Sequence, residues 1–330
     1  MKHALIASAI AALCVAAAHA QTTQPATMPV VYGVDKPVPP PPGSRITLRQ
    51  AVILGVVEGV TEYLPVSSTG HLILAGHWMG LTHQIDEPAW LGRRLEKTPA
   101  IDAFDVVIQL GAILAVLGLY RKRVALMIAG LRGKSEQGFH LLTLLIIAFA
   151  PAALAGYFLH RPIETHLFAP EPVAVALAAG GLAMIIVDRM TRARKRPVID
   201  DVCSITYWQA FIIGLAQCLS MWPGTSRSMI TIIAALLLGV SMLAAAEFSF
   251  LLALPTLGAA TIYSGFKARD ALLASAGWDG LIVGVLVSAV TAALAVKLLV
   301  AWLTRHGLAP FGVYRLLLAA GLLWYFLHGS

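Results

Sequence analysis

Two apolar stretches of this chain are each broken near the middle by a cluster of polar residues, and this pattern limits the fold more than any other feature. The first stretch, 47–80, is interrupted by Glu58-Gly-Val-Thr-Glu-Tyr-Leu-Pro-Val-Ser-Ser-Thr-Gly-His71, and the second, 205–240, by Pro223-Gly-Thr-Ser-Arg-Ser228. Glu58 and Glu62 stand four apart and so share one face of a helix. Pro65 and Gly70 then end that helix among hydroxyl side chains. Each arm of the first stretch is about 17 residues long, short of the ~20 that a spanning helix needs. A helix, a break and a second helix returning to the same side is therefore expected, a re-entrant hairpin.

The rest of the composition agrees with a chain built for lipid. Hydrophobic residues make up 58% and charged residues 12%, whereas soluble domains carry about a quarter charged. The formal charge of +7 does not point to nucleic acid. Its carriers fall in short runs at the ends of apolar stretches, Arg121-Lys122-Arg123 and Arg192, Arg194, Lys195, Arg196, which is the placement of cytoplasmic anchors under the positive-inside rule. Cys14, Cys203 and Cys218 have no paired spacing for a metal or a disulfide.

Taken in order, residues 1–20 combine Lys2, an apolar run and Ala18-His19-Ala20, the pattern of a cleavable secretory signal, with an uncleaved extra helix as the alternative. Residues 21–44 are expected to form a proline-rich tether outside the cytoplasm (Pro37, Pro39, Pro40, Pro41, Pro42). The membrane domain is expected over 45–328, with an aqueous loop at 81–102. Full spans are expected at 104–120, 140–159, 173–187, 246–266, 281–303 and 311–327. Trp78, Tyr120, Trp302 and Trp324, near span ends, suit an interfacial aromatic belt.

The two interrupted stretches resemble each other. Gln50-Ala51 matches Gln209-Ala210, Gly55 matches Gly214, Glu58 falls opposite Gln217 and Thr61 opposite Ser220; after a one-residue gap Pro65 meets Pro223 and Ser68 meets Ser226. With basic flanks fixing direction, the first enters from outside and the second from inside. The fold expected is thus an all-α polytopic membrane protein with six transmembrane helices plus two re-entrant helical hairpins, arranged as an inverted-topology repeat of about 45–190 and 205–328.

An ionised side chain facing lipid costs about 2.5–3.5 kcal/mol on insertion scales, or ~9 kcal/mol for Glu58, Glu62 and Arg227 together. These groups must therefore line a polar cavity or pair with one another in a buried ion cluster. After each break the returning arm starts with small hydroxyl residues that cap a helix N-terminus, where backbone N–H groups favour an anion. Arg227 adds a fork suited to phosphoryl oxygens. Carboxylates beside a phosphate repel it unless a divalent cation lies between them or a proton sits on one Glu. Glu58 and Glu62 suit acid–base work or metal binding, and His71 suits proton transfer. Ser67, Ser68, Thr69 and Ser226 each read as a nucleophile or a cap, and spacing does not choose.

At these residues the sequence resembles the undecaprenyl-diphosphate phosphatase family, also called bacitracin-resistance proteins. The resemblance is carried by both motifs, the second continuing through Met229-Ile-Thr231, and by Phe104-Asp-Val-Val-Ile-Gln-Leu-Gly-Ala-Ile-Leu-Ala115. It implies six spans with two hairpins and a periplasmic active site in the bacterial inner membrane. It further implies removal of the terminal phosphate from a polyprenyl diphosphate, recycling the lipid carrier of peptidoglycan synthesis and conferring bacitracin resistance. It assigns catalysis to Glu58, Glu62, Ser68, His71, Ser226 and Arg227, phosphate binding to Ser67, Thr69, Gly224, Thr225, Ser228 and Thr231, and a divalent cation (Mg2+ or Ca2+) to Glu58 and Glu62. Expected partners are the lipid substrate, membrane lipids and a second copy of the chain. A rival from another class is a transporter that moves polyprenyl phosphate across the bilayer, because inverted repeats with broken helices also build transporters.

Overall fold

The computed structural model describes residues 45–85, 94–97, 99–167, 170–192 and 199–328. The expected leader, the proline-rich tether, Asp86, Glu87 and Arg93 of the loop, and Arg194, Lys195 and Arg196 lie outside the described residues. Among those described the architecture is helical apart from one short ladder. β1 (Thr82–Ile85) pairs antiparallel with β2 (Arg94–Lys97), Thr82 opposite Lys97. The stretch expected as an aqueous loop thus holds a small polar hairpin, whose two four-residue runs satisfy each other's backbone groups. It also ends earlier than expected, because the helix that follows already begins at Pro99, and proline is favoured in a first turn, where its missing N–H has no intrahelical acceptor.

The first stretch forms α1 (Leu48–Thr61) and α2 (Ser68–Trp78). Next come α3 (Pro99–Leu119), α4 (Arg121–Leu131), α5 (Glu136–Leu167) and α6 (Pro170–Arg192). The second stretch forms α7 (Tyr207–Gln217), a 3-10 turn (Cys218–Met221) and α8 (Arg227–Leu237). The chain closes with α9 (Met242–Lys267), α10 (Arg269–His306) and α11 (Ala309–His328). Five helices are long and apolar enough to cross a membrane: Ile101–Leu119, Glu136–Gly156, Glu171–Arg192, Met242–Lys267 and Arg269–His306. The chain is therefore a multi-pass membrane protein. The sixth expected span falls on α11, whose apolar stretch Ala309–Tyr325 is shorter.

The arms of the two broken segments contain 14, 11, 11 and 11 residues, or ~16–21 Å at 1.5 Å per residue. None reaches across the ~30 Å of a hydrocarbon core. α8 carries Arg227, Ser228 and Thr231 on one side and apolar residues round the rest, and Met229, Ile232, Ile233, Ala234, Ala235 and Leu236 are all buried. They join Phe248, Phe250 and Leu251 of α9 in the largest hydrophobic cluster.

The two hairpins are built on one local plan. Thr47 caps α1 and Thr206 caps α7, each in a reciprocal capping box with the glutamine three residues on, Gln50 or Gln209. The same glutamines also reach the far end of their own hairpin. Gln50 Nε2 donates to the Met79 carbonyl at 3.3 Å and Gln209 Nε2 to the Leu238 carbonyl at 3.1 Å, 29 residues on in both cases. Ser67 caps α2 through the Gly70 N–H and Ser226 caps α8 through the Met229 N–H. Gly80 and Gly239, at φ 68° and 87°, follow the second arms.

These correspondences keep one constant spacing from Thr47/Thr206 to Gly80/Gly239, so the gap expected after Thr61/Ser220 is absent. Ser67, not Ser68, matches Ser226; Ser68 matches Arg227; and Pro65 matches Gly224. The gap aligned like residues, whereas the fold aligns caps, and a cap is defined by the hydrogen bond it accepts.

Each hairpin packs against a long helix of the opposite half, α1 on α10 and α7 on α5, while α6 pairs with α11. Matching glycines permit the close approach. A Cβ on Gly55 would lie 2.7 Å from the Gly284 carbonyl oxygen of α10, and one on Gly214 would run into the Ala148 carbonyl oxygen of α5.

Candidate active site

The two breaks meet. Between α2, α8 and the middle of α3, α5 and α9 lies a cavity of about 390 Å³ lined by Glu62, Ser67, Ser68, Thr69, Thr225, Ser226 and Arg227. Gln109, Gln217, Ser220 and Thr256 add further polar groups, and Val106, Phe149 and Leu257 supply apolar wall.

Glu62 is the C-cap of α1, so the end of that helix sets its carboxylate at the tip of the break. Arg227 is the first residue of α8. Its Nη2 donates to Glu62 Oε1 at 3.0 Å, and Nη1 is held by the Ser249 carbonyl at 2.9 Å. The guanidinium carbon lies 5.9 Å from the centroid of the Tyr63 ring, a cation–π contact. Tyr63 is itself pinned by its hydroxyl to the Ala112 carbonyl at 3.0 Å. On the other side Ser68 Oγ donates to Glu62 Oε2 at 2.6 Å.

One carboxylate thus bridges a hydroxyl of the first hairpin and a guanidinium of the second. The pairing and the polar cavity, read from sequence as alternatives, occur together. Arg227 Nε and Gln217 Oε1 are buried with no hydrogen-bond partner among the described residues. A buried polar atom left this way is costly, and both belong to residues that line the cavity, where a polar ligand would satisfy them.

Ser67 is the strained point of the first break, with φ 76° and ψ 99°, a conformation that costs a non-glycine residue about 1–3 kcal/mol. It is held by its neighbours. Its hydroxyl caps Gly70, and its carbonyl accepts from His71 Nδ1 at 2.7 Å. A carbonyl only accepts, so Nδ1 carries a proton, and in the neutral ring Nε2 accepts from the Tyr314 hydroxyl at 2.6 Å.

His71, expected beside the reacting phosphate, therefore stands one turn past Ser68 with both ring nitrogens engaged, and it is not among the cavity-lining residues. Glu58, fully buried on α1, is likewise outside the lining. Ser228 is committed to the Leu64 carbonyl at 3.1 Å and to Ser226 Oγ at 2.9 Å. Thr231 is bonded to Ser249 Oγ at 2.7 Å and to the carbonyls of Arg227 and Ser228. Both brace the turn from behind the cavity. Gly224 shapes the turn, with φ 91° and a Cβ position only 2.5 Å from the Val173 carbonyl oxygen.

Sequence reasoning passed over Arg315. It lies on α11, fully buried, and every bond it makes goes to a backbone carbonyl: Leu177 at 3.3 Å and Ala176 at 3.1 Å on α6, Pro65 at 3.4 Å and Gly224 at 2.9 Å. Pro65 and Gly224 hold matching places in the two hairpins, so one guanidinium ties both turns together. The available signal was an arginine in the apolar run 311–327 with no acid within it. Gln109 of α3 and Thr256 of α9 were also missed, since each is a lone uncharged polar residue with apolar neighbours on both sides or a proline beside it and belongs to neither broken segment.

The chemistry of the donor set bears on a divalent cation. No group of three or more His, Cys, Asp or Glu side chains gathers among the described residues, and both oxygens of Glu62 are engaged. The lining is close to neutral, one carboxylate against one guanidinium. These residues do not make a closed metal cage; they fit a cation that shares the oxygens of a bound phosphate, as Mg2+ commonly does.

Comparison with known proteins gives this geometry its context. The family described as Bacitracin resistance protein BacA matches residues 51–321. A protein of Sorangium cellulosum named undecaprenyl-diphosphatase is 47% identical over 275 residues, covering 83% of this chain and 85% of that protein. Undecaprenyl-diphosphatases of Rhizorhabdus wittichii and of a Thermoanaerobacter species are 42% and 43% identical, covering 85% and 82% of this chain and 98% and 93% of their own lengths. Identity of this order across both hairpins and the spans between them leaves one placement: the chain belongs to the bacitracin resistance protein BacA family.

Proposed function

We propose that this protein is an integral membrane phosphatase that hydrolyses undecaprenyl diphosphate to undecaprenyl phosphate and inorganic phosphate. Returning the lipid carrier to cell-wall synthesis in this way also counters bacitracin. The observation that carries the reading is the bridge Ser68–Glu62–Arg227: a hydroxyl nucleophile, a carboxylate to receive its proton and a cation for the phosphate, drawn from two hairpins into one cavity.

In this reading the diphosphate takes Arg227, the Thr225 and Ser226 hydroxyls and the N–H groups at the start of α8, while the polyprenyl tail leaves between the apolar walls toward lipid. Drawing Arg227 onto the phosphate frees Glu62 Oε1. Ser68 Oγ then attacks the terminal phosphorus as its proton passes to Glu62 Oε2. The bond from that phosphorus to the bridging oxygen breaks, and undecaprenyl phosphate departs with the electron pair. Glu62 passes that proton to the departing phosphate. Water then attacks the phosphoserine phosphorus as its proton goes to Glu62 Oε2. Glu62 returns the proton to Ser68 Oγ as the P–Oγ bond breaks, which releases inorganic phosphate and restores the serine.

His71 holds the strained Ser67 carbonyl and so aims Ser68. Glu62 would hold a divalent cation, Mg2+ or Ca2+, with Glu58 one turn behind on α1; such a cation would offset the phosphate charge that a near-neutral lining leaves uncompensated. We further read the domain as six spans plus two re-entrant hairpins of inverted topology in the inner membrane. Arg121, Lys122, Arg123 and Arg192 then lie on the cytoplasmic side and the cavity faces the periplasm.

The test is phosphate release from undecaprenyl diphosphate by purified protein in detergent, where no second compartment exists. Wild type turns over and Arg227→Ala falls by about 100-fold or more. Equal rates would remove Arg227 from the mechanism, and no release by wild type would favour transport of polyprenyl phosphate. Phosphoserine trapped at Ser68 in an acid quench supports the covalent route. Full turnover by Ser68→Ala hands the attack to water.

A further inference from the structure

A second and larger cavity, of about 780 Å³, opens where α3 ends and α4 begins, against α9 and α10. Its lining includes Leu119, Arg121, Lys122, Arg123, Glu247 and Lys297. It is separate from the reaction cavity. Along α3, Tyr120 follows Gln109 by eleven residues, and along α9, Thr256 follows Glu247 by nine, which sets the two cavities ~14–16 Å apart on both helices. Tyr63, Phe250 and Tyr120 stand between them, with ring centroids 5.3 Å and 6.1 Å apart. Tyr120 is therefore packed inward, not merely set in an interfacial belt.

The charge of this crevice is unbalanced. Glu247, the carboxylate of the lining, is taken by Arg123 Nε at 2.8 Å, and Arg123 Nη2 is spent on Asp201 at 2.9 Å. Arg121, Lys122 and Lys297 are left without an ion pair among the described residues. Lys297 is the unexpected member, for it sits within the apolar part of α10, nine residues before the end at His306. Its neighbours on α10, Leu294 and Leu298, are 56% and 70% exposed. An ammonium on a lipid-facing helix surface calls for an anion or a path to the interface, and here it opens on a cavity whose other free cations come from the next basic run.

We propose that this crevice binds the phosphate headgroup of an anionic membrane phospholipid. Lys297, Lys122 and Arg121 hold the phosphate, and an acyl chain lies along Leu294 and Leu298. Those exposed leucines set the ammonium directly beside the acyl-chain region, where a headgroup phosphate that brings its own chain is favoured over free phosphate. The site is independent of the phosphatase reaction; only its assignment to the cytoplasmic leaflet rests on the orientation proposed above.

The experiment is native mass spectrometry of the delipidated full chain in detergent, titrated with phosphatidylglycerol or phosphatidylcholine. Wild type is expected to hold one phosphatidylglycerol about tenfold more tightly than phosphatidylcholine. Lys122→Gln combined with Lys297→Gln should abolish that preference, while Lys297→Arg, which keeps the charge, retains it. Phosphate release in phosphatidylcholine is expected to be unchanged in all three proteins. No preference in wild type, or an undiminished preference in the Lys122→Gln/Lys297→Gln protein, overturns the proposal. Displacement of the bound lipid by millimolar inorganic phosphate overturns the lipid assignment in favour of a free anion. Failure of the phosphatase reading would appear as absent phosphate release, with the lipid count unaffected.

Discussion

The two hairpins share a frame and differ in charge. Both begin with a threonine–glutamine capping box, both resume after the break under a serine cap, and both close when the glutamine reaches the last carbonyl of the second arm. At matching places the first carries Glu58, Glu62 and Ser68, and the second carries Gln217, Met221 and Arg227. The groups that make the hairpin were kept while the groups facing the cavity diverged. One hairpin supplies acid and hydroxyl, the other the cation. A cavity built from two copies of the first hairpin would face two Glu62 carboxylates with no arginine and would repel a diphosphate.

The sharpest way to break this comparison is to erase the difference at its centre. Glu62→Gln keeps the shape of the side chain but removes the charge facing Arg227 and the acceptor for the Ser68 proton. Phosphate release should fall by about 100- to 1000-fold in kcat. Gln217→Ala, at the place matching Glu58, should act through binding of the diphosphate, with a KM raised several-fold and kcat nearly kept. Steady-state kinetics of the two proteins distinguish the roles, and equal loss of kcat in both would end the division of labour.

The next effect is on stability. Arg315 joins the two frames at Pro65 and Gly224, and Arg315→Met would leave four buried carbonyls with one donor fewer each. At about 1–3 kcal/mol for a buried group left unsatisfied, the loss should exceed ~3 kcal/mol even if water enters. Thermal unfolding in detergent should show a large drop in Tm. Arg315→Lys, with fewer donors and no fork, should fall between. A Tm unchanged in Arg315→Met would mean that the hairpins do not depend on this clamp.

What could be read from the sequence, and what could not, follows the range of the interactions. Breaks at Pro65 and Pro223, hydroxyl caps after them and the unfavourable transfer of Glu62 and Arg227 into lipid are local or compositional, so the hairpins and their shared polar chamber were legible. The register was not, because like residues suggested matching Pro65 with Pro223 whereas the turns match Pro65 with Gly224. The inward turn of Glu58, Ser228 and Thr231 was also hidden. A hydroxyl on an apolar helix does not say whether it faces a ligand or the Leu64 carbonyl behind it. Arg315 was least legible of all: its partners are backbone atoms from three distant segments, and no residue type marks a carbonyl that needs a donor.

The smallest effect expected is also the cleanest test of the shared frame, because it concerns two side chains that take no part in the chemistry. Gln50 and Gln209 each satisfy a capping box and then close their hairpin on a carbonyl. Gln50→Ala and Gln209→Ala each lose the reach to that carbonyl and the acceptor for the threonine N–H, about 1 kcal/mol apiece at a half-buried site. The loss should be local. Hydrogen exchange should quicken by about fivefold at the C-terminal turn of α2 in the first protein and of α8 in the second, with the opposite hairpin unchanged, and phosphate release should stay within about twofold of wild type. The two sites lie at separate hairpins, so the double substitution should add. If Gln209→Ala loosens α2 as well, the hairpins are coupled beyond the Arg315 clamp and the cavity behaves as one cooperative unit instead of two copies of a frame meeting at their tips.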